Sequence, residues 1–336
     1  MKKNLYISLL SMVALASCSK VDIDVPACQS ANEVVAEKEI SFQTAGYALS
    51  TKAGSSSFEG TFKTFGFFTG DSNWNSESTL ENAVNYINGA EISNNSNVWK
   101  ESGKTYYWPK AGKLSFVSYA PATANLQVNG NKNEMFSANA FEPSYDLMIG
   151  ETAADKTGPE AVSVLFRHVL SQVNFTAQVS ELESNGLYFE VSINSISLEN
   201  IANKGDFSWN ALENKASFGK QNSYYGNKQV SETVNFEDGD IKDLGTSLYI
   251  PQMLNNSNLE ISYSINTYVI ENGTKVYVDK VNNTKSVSLE SLNGGEWKSG
   301  YSYVYNITIN TLSEDNITVT PYIENDWKTI EHEINM

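Results

Sequence analysis

The sequence predicts an all-β protein built from antiparallel β-sandwiches, and three observations carry that prediction. LEISYSINTYVI places Leu259, Ile261, Tyr263, Ile265 and Val269 on one face, and YSYVYNITIN does the same with Tyr301, Tyr303, Tyr305, Ile307 and Ile309. Alternation of period two marks a half-buried antiparallel strand. VIENGTKVYV sets Asn272-Gly273 after the first of these runs, and both residues accept the positive φ of a tight hairpin turn. The composition agrees: 18 tyrosines in 336 residues, with frequent Asn, Ser and Thr, suit the exposed faces of sheets.

Taken in order, the chain opens with Lys2 and Lys3 and a nearly all apolar or small run over 4–17. That run is shorter than the roughly 20 apolar residues of a membrane-spanning helix, so it reads as a secretory signal. Leu15-Ala16-Ser17-Cys18 resembles the bacterial lipobox, which implies a diacylglycerol on the Cys18 thiol and a cut just before it. Asp22 and Asp24, close behind, resemble the surface-export signals of Bacteroidetes lipoproteins. The stretch up to residue 38 has few large apolar side chains and reads as a tether. In EISFQT, Ile40 and Phe42 alternate with polar neighbours, which predicts a short strand. ALSTKAGSSSFEG then reads as a flexible loop, and FKTFGFFTG as a buried strand.

STLENAVNYIN, residues 78–88, predicts a short helix. Leu80, Ala83, Val84 and Ile87 recur at helical spacing, Ser78 with Glu81 forms a capping box, and Gly89 is placed to end it. VNFTAQV and GLYFEVSINSISL add strands. ETAADKTGPE, with Gly158 and Pro159, suits a linker. The expected organisation is a signal peptide at 1–17, a tether at 18–38, an N-terminal β-sandwich at 39–157 and a C-terminal one at 158–336.

Charge and composition exclude several functions. The chain carries 23 Lys and Arg against 39 Asp and Glu, a formal charge of −16, which argues against nucleic acid or anionic lipid as a partner. With Cys18 lipidated, Cys28 is the only other cysteine, so neither an intrachain disulfide nor a multi-cysteine zinc site is expected. His168, in the apolar run VLFRHVLSQVNF, reads as a satisfied structural histidine. Glu331-His332-Glu333 lacks the i, i+4 spacing of a helical zinc site, and Glu237-Asp238-Gly239-Asp240 does not match an EF-hand loop. P-loop, GxGxxG and GxSxG motifs are all missing, so no catalytic residue, metal or cofactor is expected. Trp74, Trp99, Trp108, Trp209, Trp297 and Trp327 are of a kind more often found as core anchors, yet they also suit stacking on sugars. A surface-exposed glycan-binding lipoprotein is therefore the alternative reading.

Four stretches resemble the fimbrillin family of Bacteroidetes, the type V pilins and their accessory subunits. They are YYWPKAGKLSFVSYAP (106–121), DLMIGE (146–151), VLFRHVLSQVNF (164–175) with Phe166, His168 and Leu170, and WKSGYSYVYNITI followed by ITVTPYIENDW. Within the first, Pro109 suits the start of a strand, Gly112 the turn and Pro121 the stop. The resemblance implies two tandem transthyretin-like β-sandwich domains. It also implies export as an outer membrane lipoprotein held by Cys18, and a place in a cell-surface fimbrium serving adhesion to host or bacterial surface ligands. An Arg- or Lys-specific protease would cut the loop after the first strand, and a strand from another pilus subunit would replace the strand lost. EISFQT would be that strand, and Lys52, followed by Ala53, the cleavage site, where the family more often has arginine. At the other end, the tail WKTIEHEINM is short and charged. It either donates a strand to the next subunit or ends the domain, which leaves stalk, tip and anchor roles open.

Overall fold

The computed structural model describes residues 38–44, 60–76, 80, 84–96, 98–224, 227–228, 234–237, 239–292, 294–312 and 317–325. Strands dominate them. The first half holds β1 (Phe42–Thr44), β2 (Phe62–Gly70), β3 (Val84–Asn95), β4 (Val98–Glu101), β5 (Lys113–Ala120), β6 (Phe136–Phe141), β7 (Met148–Lys156), β8 (Val162–Val164) and β9 (Phe166–His168). Then come β10 (Ser171–Val179), β11 (Leu187–Glu199), β12 (Ile201–Asn210), β13 (Lys215–Tyr224), β14 (Ile241–Tyr249), β15 (Asn258–Glu271), β16 (Thr274–Ser288), β17 (Tyr301–Ile309) and β18 (Ile317–Asn325). The α-helix α1 (Leu289–Leu292) is a single turn.

An eight-stranded sheet runs in the order β9-β7-β5-β2-β3-β4-β1-β8. Its ends are not free of one another. One segment, residues 162–168, pairs with β1 through β8 and with β7 through β9, and the Glu151 N–H donates to the Leu165 carbonyl between them. The sheet thus wraps around an apolar interior that includes Ile40, Phe42, Phe62, Ile87, Trp99, Phe116 and Phe166. The outer face of β2, β5 and β7 packs on a second sheet, in which β12 lies between β13 and β6. Phe65, Phe67, Tyr119, Phe136, Phe207 and Trp209 fill that second core. A third core lies between the sheet β14-β10-β17-β18 and the sheet carrying β11, β15 and β16.

The alternating runs sit as their pattern requires. Leu259, Ile261, Tyr263 and Ile265 of β15 are buried, as are Tyr303, Tyr305, Ile307 and Ile309 of β17. FKTFGFFTG is β2, buried on both faces because it serves two cores at once. Asn272 and Gly273 turn β15 into β16 with φ of 53° and 78°. Pairing is mostly antiparallel, but β1 with β8 and β10 with β17 are parallel.

The helix expected at 78–88 is corrected. Residues 84–88 begin β3, which pairs with β2 and β4, and Ile87 is fully buried against the interior of the wrapped sheet. The helical spacing of Val84 and Ile87 is outweighed by backbone pairing with β2, where Val84 meets Phe68 and Ile87 meets Gly66, and by the burial of Ile87. Ser78 and Glu81 lie outside the described residues. Among the described residues, strand pairing crosses residue 157 at three places: β1 with β8, β7 with β9, and β6 with β12.

Candidate assembly site

Cys18, Lys52 and Ala53 all lie outside the described residues, as do His332 and Trp327. What is described is the seat of the strand that precedes Lys52. Residues 38–44 form one extended ribbon. The Ile40 N–H donates to the Tyr106 carbonyl and the Trp108 N–H to the Lys38 carbonyl, both at 2.8 Å. Beyond this, the Val162 N–H donates to the Ser41 carbonyl at 2.8 Å, and Phe42, Gln43 and Thr44 pair in parallel with Val162, Ser163 and Val164. On the other side Phe42 pairs with Trp99 of β4. β1 is therefore the single strand joining β4 to β8.

The side chains explain why so short a strand stays in place. Ile40 and Phe42 point inward and are 3% and 4% exposed. The Phe42 ring meets Phe62 and Phe116 edge to face, with centroids 6.0 and 5.6 Å apart, the geometry that the ring quadrupoles favour. Burying these two side chains contributes roughly 1.5–3 kcal/mol each. Glu39 adds an exposed ion pair with Lys100 at 3.3 Å, worth little in water. Taking the ribbon away would expose unpaired backbone on β4 and β8 and an apolar trough lined by Phe62, Trp99, Phe116 and Val162. Such a trough accepts an extended chain with apolar side chains at alternate positions.

The segment that closes the sheet is anchored by polar contacts. His168 Nδ1 lies 2.9 Å from Asp146 Oδ1, and the Arg167 Nε–H donates to Glu151 Oε1. His168 thus has the structural partner expected of it. Val162, Val164 and Phe166 stand at alternate positions of this segment and all three are buried.

Trp74, Trp99, Trp209 and Trp297 are buried and Trp108 is half-buried. None of these five offers an exposed stacking platform, because each is packed within or against a core. The acidic turn at 237–240 contains Asp240, held below the usual carboxylate range chiefly by its hydrogen bond with Lys242, 2.7 Å away. Among the described residues, no group of three His, Cys, Asp or Glu side chains gathers as a metal site would require. No helix among them is long and apolar enough to cross a membrane.

Comparison with solved structures gives the same architecture. A fimbrial protein of Bacteroides vulgatus superposes with a TM-score of 0.62 at 17% identity, covering 86% of this chain and all of the other. A candidate cell adhesion protein of Bacteroides ovatus gives 0.51 at 13% identity, covering 88% of this chain and all of the other. At these identities the likeness is one of fold. No curated protein matches the sequence. The family model described as fimbrillin-like matches residues 51–327, most of the sequence. The chain belongs to the fimbrillin-like family.

Proposed function

We propose that the protein is a structural or accessory subunit of a bacterial surface fimbria, serving adhesion. In this reading it is exported as an outer membrane lipoprotein through Cys18 and assembled by proteolysis-gated donor-strand exchange. Family membership supports the fimbrial role. The seat of β1 supports the exchange: a three-residue strand and the residues just before it, held mainly by Ile40 and Phe42, fill an apolar trough in an otherwise continuous wrapped sheet. The segment that follows β1 contains Lys52-Ala53 in a Ser- and Gly-rich stretch, where proteases act most readily. A cut there releases the lipid and the plug together. The vacated trough then takes a strand from the next subunit, and such a head-to-tail contact does not close on itself, so a filament grows. Without the cut, Cys18 remains the foot of an anchoring subunit.

The test replaces Lys52 with Gln. The unsubstituted protein is expected at the cell surface with Ala53 at its N-terminus and in polymers of high molecular weight. Lys52→Gln is expected to keep its lipidated start and to lose the polymers; polymers unchanged by the substitution would overturn the cleavage-gated reading.

A further inference from the structure

Among the described residues, the longest strand is also one of the most exposed. β16 has 15 residues, and the first 11, Thr274 to Thr284, are all exposed. It forms the edge of its sheet: β15 pairs along one side, and no described strand pairs along the other. Proteins usually keep an edge strand short or covered, because its outward N–H and C=O groups are a template for another chain. Here the template is long, and it lies on the third core's sheet, remote in sequence from the seat of β1.

Its side chains are not those of a purely solvated arm. Val276, Tyr277, Val278 and Val281 are 38–56% exposed. Val276 sits opposite Val269, and Val281 opposite Ile265, so both lie on the face that carries the core residues of β15. Tyr277 lies on the other face, edge to face with Tyr268 at 5.9 Å. A β-bulge at Val278 locally breaks the register with β15.

Charge selects the occupant. β16 carries Lys275, Lys280 and Lys285 against Asp279, a net +2 on a chain whose formal charge is −16, with Lys275 paired to Glu190 of β11 at 3.2 Å. Two copies of β16 laid antiparallel in the register centred on Lys280 would set Lys280 beside Lys280 and Lys275 beside Lys285, and like charges opposite each other destabilise a strand pair. An acidic strand meets the opposite condition. We propose that the free edge of β16 is a second docking site, which takes by β-strand addition an extended strand of a partner protein bearing alternating apolar and acidic side chains. Backbone groups supply the affinity, Val276 and Val281 the apolar row, and the lysines the selectivity. The proposal does not depend on exchange at β1.

The test uses the purified full chain carrying Cys18→Ser and two fluorescein-labelled peptides. Both alternate valine with threonine and a charged residue, glutamate in one and lysine in the other. Fluorescence anisotropy should show saturable binding of the glutamate peptide and binding of the lysine peptide at least about tenfold weaker. Lys280→Glu should weaken the glutamate peptide about fivefold without shifting the melting temperature. Amide hydrogen exchange should show new protection in 274–284 on binding. Equal binding of the two peptides, no binding of the glutamate peptide, or protection confined to other strands would overturn the proposal. So would a dimer of the unliganded chain in sedimentation, protected along β16, since the edge would then belong to a second copy.

Discussion

Phe42 meets Phe116 edge to face, ring centroids 5.6 Å apart and planes at 88°, although their strands are not neighbours in the sheet. The contact spans the interior of the wrapped sheet. It makes the first described strand part of the core rather than an ornament on its rim.

Phe42→Ala is therefore expected to destabilise the uncleaved chain by about 3–5 kcal/mol, the cost of emptying a buried aromatic site. Urea unfolding measures it as a lower midpoint with an unchanged slope. A cost under about 1 kcal/mol would mean that Phe42 does not plug the trough.

Cys18→Ala is expected to abolish lipid attachment. Cells fed labelled palmitate should incorporate label into the parent protein and none into the variant. Label retained by the variant would show that the lipid sits elsewhere.

Gly112→Ala tests the turn into β5. Gly112 has a φ of +89°, and a Cβ there would lie 2.6 Å from the Phe68 ring. The backbone cost of about 1–2 kcal/mol adds to the cost of moving the ring. A loss of about 2–3 kcal/mol is expected, with part of it recovered when Phe68→Leu is added. No recovery in the double variant would place the strain in the backbone alone.

Tyr303 predicts an alkaline transition. It is buried in the third core, its hydroxyl oxygen accepts a hydrogen bond from the Lys298 N–H at 2.8 Å, and burial is the main cause that pushes its pKa up to about 12. Folding favours the protonated phenol, so this stability is fully present below the unfolded value near 10 and is lost as pH rises from there to about 12. The drop is expected to be about 2–3 kcal/mol across that window. Burial also raises Tyr119 and Tyr145, which adds loss in the same direction. Chemical unfolding at pH 9 and pH 11.5 measures it, and Tyr303→Phe should shrink the difference; an equal drop in the variant would assign the effect to other groups.

Much of this molecule could be read from local pattern. The runs at 259–265 and 301–309, the turn at Asn272-Gly273 and the doubly buried FKTFGFFTG are properties of a few adjacent residues, and burial followed them. Where the pattern was mixed, tertiary structure decided. Val84 and Ile87 fit a helix by spacing, but β2 offers that segment a row of backbone partners and the interior of the sheet a place for Ile87, so it is a strand.

The candidate site divides in the same way. Alternation alone marked EISFQT as a short strand, the likeness to a lipobox suggested Cys18, and the likeness to the fimbrillin family suggested Lys52. That β1 lies between β4 and β8, that 162–168 ties the sheet to itself, and that five tryptophans serve cores rather than a surface are features of tertiary structure. Strand identity depends on the period of the side chains, which a chain carries in itself. Strand partnership depends on hydrogen bonds between residues far apart in sequence, and only the folded chain brings their donors and acceptors together.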